Sequence, residues 1–132
     1  NIPVATQYDY NFRKGRDLGE FRKRYKEAVK YLDKNIQGDE PHLPSLYSAA
    51  RARIYGKFEV EQALKLLDRY LRIGKGRSNR TKAAVWWMKG QAYEQLNNRE
   101  KAIESYETSL QLDPEFKRSE ESLKKLKSKK RI

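Results

Sequence analysis

Trp86, Gly90 and Tyr93, followed by Ala102, Tyr106 and Pro114, set small and bulky residues at fixed helical intervals, and nothing else restricts the fold of this 132-residue chain as tightly. An α-helix turns about 100° per residue, so Trp86, Gly90 and Tyr93 share one face within roughly 40°. A glycine between two aromatic rings on one helix, and an alanine four residues before a tyrosine on the next, describe two helices that approach closely. Large rings then fill the space around the contact. On the same wheel Trp87 points about 100° away, beside Gln91 and Glu94. Trp86 is therefore expected in the core and Trp87 on another surface.

Helical periodicity continues along most of the chain. Leu18, Phe21, Tyr25, Ala28, Leu32 and Ile36 recur at three- and four-residue intervals, one stripe of an amphipathic helix. Asp17 and Glu20 suit a capping box at its start, and Gly38 and Pro41 end it. Pro44 opens a second helix to Tyr55, Gly56 breaks it, and a third runs from Glu59 to Ile73. After the loop GKGRSNR, residues 74–80, a fourth reaches Leu96 and a fifth Leu112. A sixth follows Asp113 and Pro114, with Phe116, Leu123 and Leu126 as a thin apolar stripe. No strand pattern competes, so the expected fold is all-α. Residues 1–16 differ: Tyr8, Tyr10 and Phe12 alternate with Asp9 and Asn11, a period of two that suits an extended segment or linker. The expected organisation is that segment followed by one helical domain over 17–132. The chain opens on Asn1 rather than methionine, which reads as a fragment or processed product.

The landmarks of residues 83–116, with "KAIESYETSLQLDP" closing them, resemble the tetratricopeptide repeat (TPR), a helix–turn–helix unit of about 34 residues. Lys89 departs from the pattern, standing where the family prefers leucine. A weaker copy over 44–73 places Ala63 as Ala102, Leu67 as Tyr106, Tyr47 as Trp86 and Ile54 as Tyr93, with Arg51 in place of the glycine. A third trace, "YKEAVKYL", lacks a recognisable partner helix. The resemblance implies about two repeats, flanked by an amino-terminal helix and a carboxy-terminal capping helix. It also implies a partner groove: Ser48, Ala52 and Tyr55 in the first copy, and Trp87, Met88, Gln91, Glu94 and Gln95 in the second. The alternative for Trp87 is that the first helix covers it. Some relatives hold a chaperone carboxylate with a lysine–asparagine–arginine clamp. The corresponding positions here include Ser48, Ala52, Ala84 and Met88, so clamp-type chaperone binding is not expected.

Charge and residue inventory narrow the function classes. Thirty basic side chains oppose 18 acidic ones, a formal net charge of +12, with the excess in residues 1–80 and 115–132. "FRKRYK" and "KKLKSKKRI" could meet phosphates, but no nucleic-acid fold signature accompanies them. Lys75, Arg77 and Arg80, in a glycine-containing loop before a helix, form a candidate anion site without phosphate-loop spacing. There is no cysteine, and His42 is the only histidine. No catalytic or metal motif appears, so neither enzyme activity, metal nor cofactor is expected. No apolar run approaches the roughly 20 residues of a membrane span. The favoured reading is a noncatalytic protein–protein interaction module, scaffold or adaptor, that binds a peptide segment or partner domain. Its rivals are an accessory carboxy-terminal domain of a larger enzyme, and a nucleic-acid or anionic-surface binder. The compartment is not assigned by the sequence.

Overall fold

The computed structural model describes residues 4–129, and every regular element in that range is helical. In chain order these are α1 (Val4–Arg16), a π-helical turn (Asp17–Phe21), α2 (Tyr25–Leu32), a 3₁₀ turn (Asp33–Asn35), α3 (Leu43–Gly56), α4 (Val60–Ile73), α5 (Asn79–Gln95), α6 (Arg99–Leu112) and α7 (Lys117–Ser128). Two compact units result, one ending at Gly74 and the other beginning at Lys75. The boundary between them falls within the GKGRSNR loop. No helix among the described residues is long and apolar enough to cross a membrane.

The expected extended segment is the clearest correction, because residues 4–16 form α1. Tyr8 and Phe12 are four apart, and both rings close on His42, with centroids at 5.6 and 5.1 Å. Tyr10 points elsewhere, 57% exposed, with its edge toward Tyr31. Over five residues, an alternation of aromatics contains the same i, i+4 pair that a helix needs, so the period of two was not diagnostic. Residues 1–3 lie outside the described range.

With α1 in place, the first unit contains a hairpin that repeats the chemistry of residues 83–116. Ala28, Ala63 and Ala102 are each fully enclosed on the second helix of a pair, and four residues later stand Leu32, Leu67 and Tyr106, all buried. A Cβ on Gly90 would lie 2.6 Å from the Tyr106 ring, and one on Gly15 would lie 2.6 Å from Leu32 Cδ2. Gly15 is therefore the counterpart of Gly90. From Gly15 to Ala28 there is one residue more than from Gly90 to Ala102. The π-helical turn takes up residue length here, with Arg22 N–H donating to Asp17 O at 3.0 Å across five residues. After it the chain breaks at 22–24, with Lys23 at φ 56°, so the predicted continuous helix from Leu18 to Ile36 is two pieces. Phe21, expected on the buried stripe, is 74% exposed. The predicted capping box is also absent: Asp17 accepts from Arg22 and Glu20 from Arg16.

Asn35, fully enclosed, fastens α1 to the rest of this unit. Its amide donates to Tyr8 O at 2.8 Å and Ser45 Oγ at 2.9 Å, and its Oδ1 accepts from Asn11 at 3.2 Å. Ser45 Oγ lies 2.7 Å from His42 Nδ1. Ser45, accepting from Asn35, still has a proton to offer that ring nitrogen, a bond that only a ring with unprotonated Nδ1 can accept. Burial lowers the His42 pKa below 6.5, opposed by the carboxylate of Asp9. A second buried group, Arg53 of α3, donates two bonds to Asp33 at 3.0 and 2.7 Å and one to Glu59 at 3.0 Å. Burial alone would lower its pKa, but the two carboxylates outweigh that and raise it. Arg53 thereby joins the 3₁₀ turn to the start of α4.

Two outcomes test these joints. A group whose folded pKa is depressed favours the neutral form, so the stability from His42 should be complete above its unfolded value of 6.5 and be lost as pH falls through the lower folded value. Thermal melts from pH 7.5 downward should show this loss, and His42→Asn should flatten that part of the profile. Asp33→Ala strands most of a buried guanidinium and should cost about 3 kcal/mol in urea unfolding. Glu59→Ala removes a partner that is 58% exposed and should cost under about 1 kcal/mol.

Candidate partner-binding surface

In the second unit, the polar face of α5 turns toward α7 rather than toward open solvent. Trp87 Nε1 donates to Ser122 Oγ at 3.0 Å, and Arg118 stands 5.4 Å from its ring centre. The same ring packs against a core of Ala102, Tyr106 and Leu126, with Tyr93, Ile103 and Leu123 around it. Trp87 is therefore partly buried, and within its own unit the carboxy-terminal helix lies against it. α7 can lie this close because small hydroxyls line its seam. Ser119 donates to Ser109 at 2.6 Å, and Ser109 donates to Ala83 O at 2.7 Å, with both serines fully enclosed. Phe116 and Leu126 anchor the helix at 7% and 6% exposure, while Leu123 is partly open. Of the three residues on the expected stripe of this capping helix, Phe116 and Leu126 are thus the buried ones.

Trp86 is half-buried, less enclosed than a core position would be. Lys89 Nζ sits 4.1 Å from the centre of its ring, with Lys89 itself only 7% exposed. The aromatic face gives the lysine's charge a favourable place where the family prefers leucine. Trp86, Tyr93, Lys101 and Ser105 border a small cavity of about 140 Å³.

Gln91 and Glu94 converge on the Tyr106 hydroxyl. Gln91 Nε2 donates to it at 2.6 Å, and the hydroxyl donates to Glu94 Oε2 in a short bond. Burial, then the Glu94 carboxylate, push the Tyr106 pKa far above its usual value, so it stays a neutral donor. The other walls of this region come from α7. Gln91, Glu94, Ser122, Lys125, Ser128 and Lys129 enclose about 400 Å³. On α7, Ser122 and Lys125 share one helical face at i and i+3, and Lys129 follows the end of the helix.

The remaining expected groove positions divide. Ala52 at 2% and Met88 at 1% exposure are interior, so neither offers a surface; each lies on the packed side of its helix. Ser48 is half-buried, Gln95 exposed, and Tyr55 37% exposed with Arg51 4.3 Å above its ring. The candidate anion residues Lys75, Arg77 and Arg80 are all exposed. Beside them Ser78 caps α5 by accepting from the Thr81 amide at 3.2 Å, and Arg80 faces Asp113 at 3.6 Å. The basic run 124–132 lies on α7 as far as Ser128, and residues 130–132 fall outside the described range. Among the described residues no group of three or more His, Asp or Glu could hold a metal ion.

Comparison with known proteins gives a match to one repeat and a fold. Residues 83–116 match the tetratricopeptide repeat family. No curated protein sequence matches the chain. Among solved structures, the second TPR domain of human RPAP3, determined by NMR in complex with the HSP70 peptide SGPTIEEVD, superposes with a TM-score of 0.82. The two are 20% identical over 96% of this chain and 100% of that one.

Removing residues 115–132 should uncover Trp87 and the Tyr106 core. The loss of buried Phe116 and Leu126 alone predicts at least about 3 kcal/mol. Chemical denaturation should register that loss, and native tryptophan emission should shift to the red.

Proposed function

This chain carries a tetratricopeptide repeat at residues 83–116 in a fold shared with a TPR domain, and from that premise we propose that it is a noncatalytic protein–protein interaction module binding a peptide segment of a partner. The observation that carries this reading is the cavity of about 400 Å³ between α5 and α7. Its walls supply an amide, a carboxylate, a hydroxyl pair and two ammonium groups, the mixture that fixes a peptide backbone and its polar side chains. Support also comes from the RPAP3 domain of the same fold, which was solved with a peptide bound. The HSP70 peptide itself is not the ligand assigned here. Ser48, Ala52, Ala84 and Met88, at positions the resemblance aligns with a carboxylate clamp, bring no charge to it.

Selection of peptides on the immobilised protein, followed by titration, tests the proposal. A recurring motif should bind saturably, and Lys125→Glu should weaken it by about tenfold or more. If no peptide saturates while duplex or single-stranded nucleic acid binds with a steep salt dependence, the interaction reading is wrong and the basic surface serves phosphates.

A further inference from the structure

The first unit holds a second recess, remote in sequence from the α5–α7 cavity. Arg24, Tyr25, Lys26 and Glu27, at the start of α2, face Gly56 and Phe58, at the end of α3, across about 300 Å³. That volume is at the lower end of the range of about 300–1,000 Å³ for ligand pockets. Gly56 is needed for its shape: a Cβ there would lie 2.7 Å from Tyr25 Cβ and 2.8 Å from the Phe58 ring. Phe21, 74% exposed, comes just before this wall, at the end of the π-helical turn.

Charge at the rim is uneven. Lys23, Lys26 and Lys57 are exposed, and Lys57 falls between two of the lining residues. Arg22 is already matched by Asp17 at 2.9 Å, and Arg24 reaches Glu27 only at 3.9 Å, both on exposed side chains. Lys26 extends over the Phe58 ring at 5.8 Å. The recess therefore has aromatic walls, an ammonium above one of them, and a lining in which Arg24 and Lys26 outnumber Glu27.

We propose that this recess docks an acidic peptide segment that inserts one aromatic or branched apolar side chain between Tyr25 and Phe58, with Phe21 packing against the segment's flank. The proposal rests on the interaction-module reading and adds a second surface to it. The Glu27 carboxylate in the lining favours a ligand with discrete negative charges over a polyanion with a continuous row of phosphates. A shallow, aromatic-walled recess suits an apolar side chain laid into it, which a lipid headgroup layer does not offer. Charge complementarity supplies the sign of the partner, and the walls supply its anchor.

Fluorescence anisotropy on the full chain tests this. The probes are labelled acidic decapeptides with one central Phe, Leu or Ile and varied flanks, the same peptides with a central Ser, poly(U), and phosphatidylserine-containing vesicles. The apolar-centred acidic peptides should saturate, and the Ser versions should bind at least about tenfold more weakly. Phe21→Ser and the pair Arg24→Glu with Lys26→Glu alter exposed side chains and should give a similar loss, with circular dichroism unchanged. Lys65→Glu, exposed on α4, should bind as the unaltered chain does. Equal binding by the variants overturns the proposal, as does tighter capture of poly(U) or vesicles through the same residues. If only Lys125→Glu weakens binding, the site is the α5–α7 cavity: the recess is excluded and the interaction reading stands. If no peptide binds, acidic or from unbiased selection, both fall.

Discussion

Two of the three hairpins in this fold depend on how closely their helices can approach over a residue with no side chain. At Gly90 the gap is filled by the ring of Tyr106, and at Gly15 by Leu32. A methyl group at either site would stand well inside van der Waals contact. Overpacking of that kind costs about 1–3 kcal/mol, more than the roughly 1 kcal/mol that alanine gains over glycine as a helix former. The middle hairpin has Arg51 at the matching place and closes by other means. Arg51 lies over Tyr55, and Arg53 holds the 3₁₀ turn and the start of α4 together through Asp33 and Glu59. Two hairpins thus close over a glycine, while the middle one does without it and adds an ion pair from α3 to the start of α4.

This division explains what could be read from the sequence. Where the landmarks stand at the family spacing, in α5 and α6, the elements, their boundaries and the enclosed Ala102 and Tyr106 were all legible. The first hairpin was hidden by a single residue, since the π-helical turn displaces Gly15 from the spacing that Gly90 keeps. Its aromatic alternation then imitated a strand. Periodicity also carried Phe21 onto a buried stripe, because a wheel assumes 100° per residue and the wider turn does not follow it.

The partner surface was less legible, for a different reason. A wheel ranks directions around one helix, whereas exposure depends on which neighbour occupies each direction. Trp87, Gln91 and Glu94 were placed on a common face, and they do share one, but α7 lies against it. Met88 lies near the edge of that face, where a small rotation separates interior from surface, and Ala52 is interior on its own helix, α3. The α7 wall of the cavity comes from a helix whose polar pattern looked like solvated surface, and only its pairing with α5 gives that pattern a purpose.

Asn35 has a consequence for how the first unit assembles. In an ideal array each hairpin forms by itself, and stability is close to a sum over neighbours. Here one enclosed amide is satisfied by Tyr8 and Asn11 from α1 together with Ser45 from α3, so its bonding is complete only when three separate stretches of chain have arrived. Such a group works as a logical AND. An intermediate holding only the α1–α2 hairpin would bury an amide with part of its hydrogen bonds unmade, and one holding only α2 and α3 would leave the α1 side unmatched. Partial structures are penalised, and the first hairpin and α3 are drawn into one cooperative step instead of unzipping turn by turn.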